Sequence, residues 1–270
     1  MKTFLACVLG LTSVAGVPSE SRTGLAPHES VLSTVHAVRR NDVSALVRSL
    51  FTDDQITLLR QEWDTQRKTK LDPAEDEAFQ AFMAQLTAPG AERKIMEELE
   101  PQLDEMRPQV AMLVGMFSGM GQAAIAQNET LSPEERAVAS RMVGAIGQAL
   151  LDNDITDVGT AKKAVGVVCQ TARRLRMNSL SEVQALEFDD LLKRGDVVLK
   201  GLKDVFALYG LSVDDWLATF RAETLDRSGK TATVRVHYEI LGVKESSDYE
   251  MVQVDGRWVR KEAAELQLGF

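Results

Sequence analysis

Apolar residues recur three and four positions apart along most of the chain, the spacing that lines one face of an α-helix. Ile56, Leu59 and Trp63 form one such run; Val138, Met142, Ala145, Ile146 and Ala149 form another. Leu202, Val205, Phe206 and Tyr209 form a third, closed by Gly210 as a C-terminal cap. Helix starts repeat one grammar, a short oxygen-bearing residue followed three positions later by an acid or amide. Thr52 with Gln55, Asp72-Pro73 with Glu75, Ser132-Pro133 with Glu135, Ser181 with Gln184 and Ser212 with Asp215 all follow it. In each, the first side chain satisfies backbone N–H groups that lack an intrahelical partner, and the second reaches back to the cap. The pattern predicts helices over residues 29 to 218, with Pro101 and Pro108 breaking or kinking the chain. No period indicates a repeat array.

Near residue 219 the period changes from helical to alternating. Ala232, Val234, Val236, Tyr238 and Ile240 point one way, while Thr233, Arg235, His237 and Glu239 point the other, which predicts a half-buried strand. A further strand over 247 to 254 meets 257 to 261 across Asp255-Gly256, a pair favoured in two-residue hairpins. Residues 220 to 225 read as a first, weaker strand. The expected fold class is therefore α+β: a mainly helical body, 29–218, followed by a C-terminal antiparallel β-meander of about four strands, 219–270, packed on the last helices with its other face wet.

The first 15 residues change the expected address. Lys2, the apolar stretch Phe4 to Leu11 and the small-residue sequence Ser13-Val14-Ala15 have the layout of a secretory signal peptide cleaved after Ala15. The apolar part is far shorter than the roughly 20 residues a spanning helix needs. Residues 16 to 28, rich in Ser, Gly and Pro, read as a flexible leader, and the expected location is the periplasm. Cys7 lies too near the start to leave room for a lipoprotein signal before it. After cleavage only Cys169 remains, so no intramolecular disulfide is available and stability must come from the core. Val165, Val168 and Ala172 at helical spacing place Cys169 on an apolar face as a buried small hydrophobe.

Composition then removes whole classes of partner. The 270 residues carry 31 Lys+Arg against 40 Asp+Glu, a formal net charge of −9, with no basic stripe large enough to hold nucleic acid against that repulsion. A hydrophobic content of 44% exceeds what a disordered chain carries.

Between Gln109 and Asn128 there is no charged residue, and Gly115 and Gly119 stand four apart beside Met112, Met116 and Met120. A helix that is apolar all round is usually buried, so the first reading is a central core helix. The second is a helix interface for self-association, as a homodimer, or for a partner, since small residues at that spacing let helices approach closely. The third is membrane contact, against which Gln109, Ser118, Gln122 and Gln127 count. The remaining chemistry is sparse. His28, His36 and His237 have no ligand-spaced neighbours, and the acids Glu97, Glu98, Glu100, Asp104 and Glu105 lack the alternation and glycine of a calcium loop. Arg173, Arg174 and Arg176 fit a helix C-terminus, where they complement the dipole. There is no nucleophile elbow, phosphate loop or dinucleotide fingerprint.

The end of the chain, Val254-Asp255-Gly256-Arg257-Trp258-Val259, resembles the last strands of small exported bacterial domains of the cystatin-like or NTF2-like kind. Ala37 to Leu50 (AVRRNDVSALVRSL) is similar to the first helix and turn that open such domains. The whole chain resembles a family of exported proteobacterial proteins of unassigned function with this helix-rich body and β tail. The resemblance supplies no catalytic, metal or cofactor residues. The expectation is an exported, non-catalytic protein that binds a protein or small apolar partner through a helix groove or the concave face of its sheet. The alternatives are a cofactor-free enzyme with dispersed acids, His237 or Tyr238 in the sheet cavity, and a structural envelope component lying on the membrane.

Overall fold

A computed structural model describes residues 24–128 and 131–266. The segment expected to be a signal peptide, Cys7 and most of the expected leader lie outside these residues. Eleven helices among them precede the sheet: α1 Pro27–Arg39, α2 Val43–Leu50, α3 Asp53–Gln66, α4 Pro73–Thr87, α5 Ala91–Met106, α6 Val110–Ala126, α7 Pro133–Asp152, α8 Val158–Leu175, α9 Leu180–Gln184, α10 Phe188–Leu208 and α11 Val213–Ala218. Strands β1 Arg221–Ser228, β2 Thr231–Ile240, β3 Val243–Val254 and β4 Arg257–Arg260 follow, and a short α12, Lys261–Glu265, ends the described chain. The protein is α+β, a helical body followed by a four-stranded antiparallel sheet in the order β1-β2-β3-β4.

The caps explain where the helices begin. The Thr52 hydroxyl accepts from Gln55 N at 3.3 Å while Gln55 Oε1 accepts from Thr52 N at 2.8 Å. Ser132 and Glu135 form the same reciprocal pair at 3.1 and 2.8 Å. Ser212 caps α11 through Asp215 N as its spacing predicts. The cap of α9 differs: Ser179, two residues before the expected Ser181, accepts from Glu182 N. Glu182 then reaches the Asn178 amide at 2.6 Å, and the Ser181 hydroxyl turns instead to Asp76 and Ser179. Helix α1 starts at Pro27, inside the segment expected to be leader. Proline suits the first helical position because its missing N–H would have no partner there, and Glu29 accepts from Ala26 N at 2.8 Å. Pro101 lies within α5, on its exposed side, and does not end it; the break falls at Pro108, in a single 3-10 turn, Arg107–Gln109.

Contacts divide the molecule into two units. The first contains residues 24–65, Phe220–His237 and 246–266. Its sheet turns inward the side chains that alternation predicts, with Ala232, Val234 and Val236 buried on β2; Met251 of β3 and the consecutive Trp258 and Val259 of β4 are buried as well. Asp255 and Gly256, at φ of 50° and 80°, make the tight turn that joins β3 to β4. Leu241 and Gly242 adopt the same left-handed pair, at 51° and 78°, between β2 and β3, so β3 begins four residues earlier than its composition suggests. Helices α1 and α2 pack on the edge strands, α1 on β1 and β4 and α2 on β4. Val31 and Val35 are buried on one side of α1, Ala37 packs instead with Ala45, Leu46 and Leu50 of α2, and the Ser30 hydroxyl donates to the Trp258 carbonyl at 2.7 Å. Gln55 Nε2 donates to the Ala263 and Leu266 carbonyls, both at 2.9 Å, which ties the end of the described chain to α3.

The second unit contains Gln66–Thr219 and Tyr238–Glu245. Its core is made by α4, α5 and α8, through Met83, Leu86, Ala91, Met96, Leu103, Ala161, Val165, Cys169 and Ala172. Helix α10 packs on α8, with Gly201 against Thr171. Helices α6 and α7 pack on each other as an antiparallel hairpin.

Candidate functional site: the exposed face of α6

Helix α6 is not the core helix that an all-round apolar sequence leads one to expect. Val114 is its one buried residue, while Met112, Met116, Phe117 and Met120 are 66%, 49%, 64% and 62% exposed. The reason lies in which side meets α7. A side chain added at Gly147 would meet the Ser118 hydroxyl at 2.6 Å and Val114 at 3.5 Å, and one at Gly121 would meet Val143 at 3.3 Å. Val114, Ser118 and Gly121 recur at helical spacing and form the packed stripe. The core of α4, α5 and α8 is complete without α6, so the opposite side of the helix stays uncovered. A Cβ added at Gly115 or Gly119 would meet nothing within 4 Å.

The five residues singled out in the sequence, Met112, Gly115, Met116, Gly119 and Met120, therefore share the open side of one helix. Phe117 of the same helix is exposed as well, and so are Ile146 and Leu151 of α7. Their signal was the same uncharged run and the spacing along α7, but neither says which side will be left open. Leu202 and Phe206 are likewise exposed on α10, where helical spacing alone suggested a single buried face. Several large apolar side chains exposed on one helix mark interaction sites on folded proteins.

By length and composition the continuous helical stretch Ala91–Ala126 is long and apolar enough to cross a membrane. Its first half carries Glu97, Glu98, Glu100, Asp104 and Glu105, of which Glu97 pairs with Arg93 at 3.6 Å and Asp104 with Arg107 at 3.1 Å. The uncharged part of that stretch runs from residue 108 to Ala126, 19 residues or about 28 Å of helix, close to the roughly 30 Å of a hydrocarbon core. It has no Lys or Arg to anchor an interfacial helix to lipid headgroups.

The other candidates do not assemble. His28 Nδ1 lies 3.0 Å from the Thr224 hydroxyl. Thr224 pairs with the inward-facing Val234, so His28 is on the inward side of the sheet. His237 projects from the opposite, wet side, 3.4 Å from Glu223, and His36 is on the exposed side of α1. Arg235 beside it grips Asp248 with two hydrogen bonds of 2.7 and 2.8 Å, which hold the Asp248 carboxyl below its usual pKa. No group of three or more His, Cys, Asp or Glu suited to a metal ion occurs among the described residues. Cys169 is fully buried in the second core, and burial first, then Glu92, pushes its thiol pKa up, away from reactivity. Arg173 near the end of α8 chelates Glu92 at 2.5 and 3.0 Å.

Fold and site together define an α+β protein that presents an uncharged, methionine-rich helix face on a two-helix hairpin. In comparisons with protein-family models, curated proteins and solved structures, nothing matches the chain.

Proposed function

We propose that the chain is an exported, non-catalytic binding protein that holds a polypeptide partner against the open face of α6. The observation that carries the reading is the exposure of Met112, Met116, Phe117 and Met120 on a helix without charge. Methionine is flexible and polarizable, and surfaces rich in it adapt to apolar partners. A helix face offers a ridge rather than the enclosure that small ligands need, which favours another polypeptide over a small molecule. Export rests on the charge, apolar run and small residues of the first 15 positions.

The test is photo-crosslinking from position 117 of the full chain in cells, with fractionation of the same culture. The reading expects a processed chain outside the cytosol and a crosslinked polypeptide that disappears when Met116 and Met120 are both changed to Lys. Those positions are exposed, so the double variant should unfold at an unchanged midpoint. Labelling of lipid alone, or of nothing, overturns the docking reading. Unprocessed chain in the cytosol overturns export.

A further inference from the structure

Resting on that docking reading, we infer that the polypeptide on α6 is a basic amphipathic segment, its apolar side chains seated on Met112, Met116 and Met120 and its Lys or Arg end on Glu98 and Glu105. Met96 and Leu103 of α5 are buried in the core of α4, α5 and α8, and Val114 and Gly121 of α6 pack on α7. These four stand seven, eleven and seven residues apart, close to whole numbers of helical turns, so the packed side keeps its phase through the 3-10 turn at Arg107–Gln109. Two positions on from each, about 200° around the helix, come Glu98, Glu105, Met116 and Ala123, all exposed. One open row therefore passes from two carboxylates to the methionine face, with Met112 and Met120 flanking Met116 a turn away on either side.

Charge decides what the row accepts. From residue 97 to residue 109 the acids Glu97, Glu98, Glu100, Asp104 and Glu105 stand against one cation, Arg107. Glu97 pairs with Arg93 and Asp104 with Arg107, which leaves Glu98, Glu100 and Glu105 without an ion pair among the described residues. Lys94, the next cation along that side, stands a turn further from α6 than Glu98. From 108 to 135 the sequence has no Lys or Arg, so α6 itself opposes no cation. An acidic segment, or a second copy of a chain with net charge −9, would instead set like charge against like. Glu105 and Met116 lie eleven residues, about 16 Å, apart along the helix, so a helical partner needs its Lys or Arg about three turns from its apolar anchor. Cations stabilise a helix C-terminus, so a partner that ends on its basic residues runs antiparallel to α6.

The experiment is a fluorescence-anisotropy titration of the purified full chain against two labelled synthetic helices of about 18 residues, long enough to reach from Met120 to Glu105. Both carry the same apolar residues at three- and four-residue spacing; one ends on lysines and the other on glutamates. At low salt the lysine peptide should bind at least about tenfold more tightly, the scale of reversing two exposed ion pairs, and the gap should close in high salt. Glu98→Gln/Glu105→Gln should weaken the lysine peptide and narrow the gap. Both positions are exposed, so the unfolding midpoint of that variant should not move. Met116→Lys/Met120→Lys should abolish binding of the lysine peptide. Equal affinities, a preference for the glutamate peptide, or binding of neither overturns the inference, and a gap that Glu98→Gln/Glu105→Gln leaves unchanged overturns the stated seat. If crosslinking from position 117 then still captures a polypeptide, a second copy of the chain included, the docking reading survives, and if it captures none both fall.

Discussion

The hydroxyl of Ser30, on the first described helix, donates to the main-chain carbonyl of Trp258, on the last strand, at 2.7 Å across 228 positions. Both residues are buried, and Arg227 of the opposite edge strand stacks 5.1 Å above the Trp258 ring. The contact fastens the start of the chain to a strand made only after all the helices of the other unit.

Ser30→Ala should destabilise the sheet unit by about 1–2 kcal/mol, because the buried Trp258 carbonyl loses its donor and gains no water. Urea unfolding followed by tryptophan fluorescence measures it. An unchanged midpoint would mean that the carbonyl finds another donor.

Thr34, on the same helix, makes the opposite case. It is fully buried and its hydroxyl has no hydrogen-bond partner. Thr34→Val keeps the shape and removes a desolvated polar group, so stability should be unchanged or rise by about 1 kcal/mol. A loss of stability in thermal unfolding would show that the hydroxyl is satisfied in solution.

In the second unit, α8 and α10 meet where Gly201 lies against Thr171. A Cβ at 201 would fall 2.8 Å from Thr171 Cγ2 and 3.1 Å from its Cβ, with the hydroxyl nearer still. Gly201→Ala should therefore cost about 1–3 kcal/mol through overpacking, despite the better helix propensity of alanine. Thr171→Ala removes the hydroxyl and the methyl, so the double variant should recover part of the loss. Additive losses in that double-mutant cycle would contradict the contact.

Local chemistry was readable and global placement was not. The caps at Thr52, Ser132 and Ser212 and the alternation of Ala232, Val234 and Val236 depend on neighbours within a few residues, so the chain states them directly. Which helices pack on the sheet depends on contacts such as Ser30 with Trp258, which leave no periodic trace. The site shows the same division. The spacing of Met112, Gly115, Met116, Gly119 and Met120 marked a common face, but burial was expected because an apolar helix normally finds a core. That core was already closed by Met83, Met96, Leu103 and Cys169 on three other helices, a fact of tertiary volume and not of pattern.

Acid should loosen the second unit through Glu92. The Arg173 guanidinium, bonded to both its oxygens, lowers its pKa from 4.5 to about 2. A carboxyl depressed by folding contributes stability that is complete above its ordinary pKa and lost as pH falls through the folded value. The contribution of this pair should therefore be constant at neutral pH and fade between about pH 4.5 and about pH 2. Glu92→Gln lacks it at every pH, so the midpoint difference between wild type and variant should shrink to nothing across that window. The pair is partly open to solvent, so the difference should be small and should narrow further in high salt. Thermal unfolding of both proteins from pH 7 to pH 2 at low ionic strength checks this, and a difference that persists undiminished at pH 2 would assign the effect of Glu92→Gln to packing instead of charge.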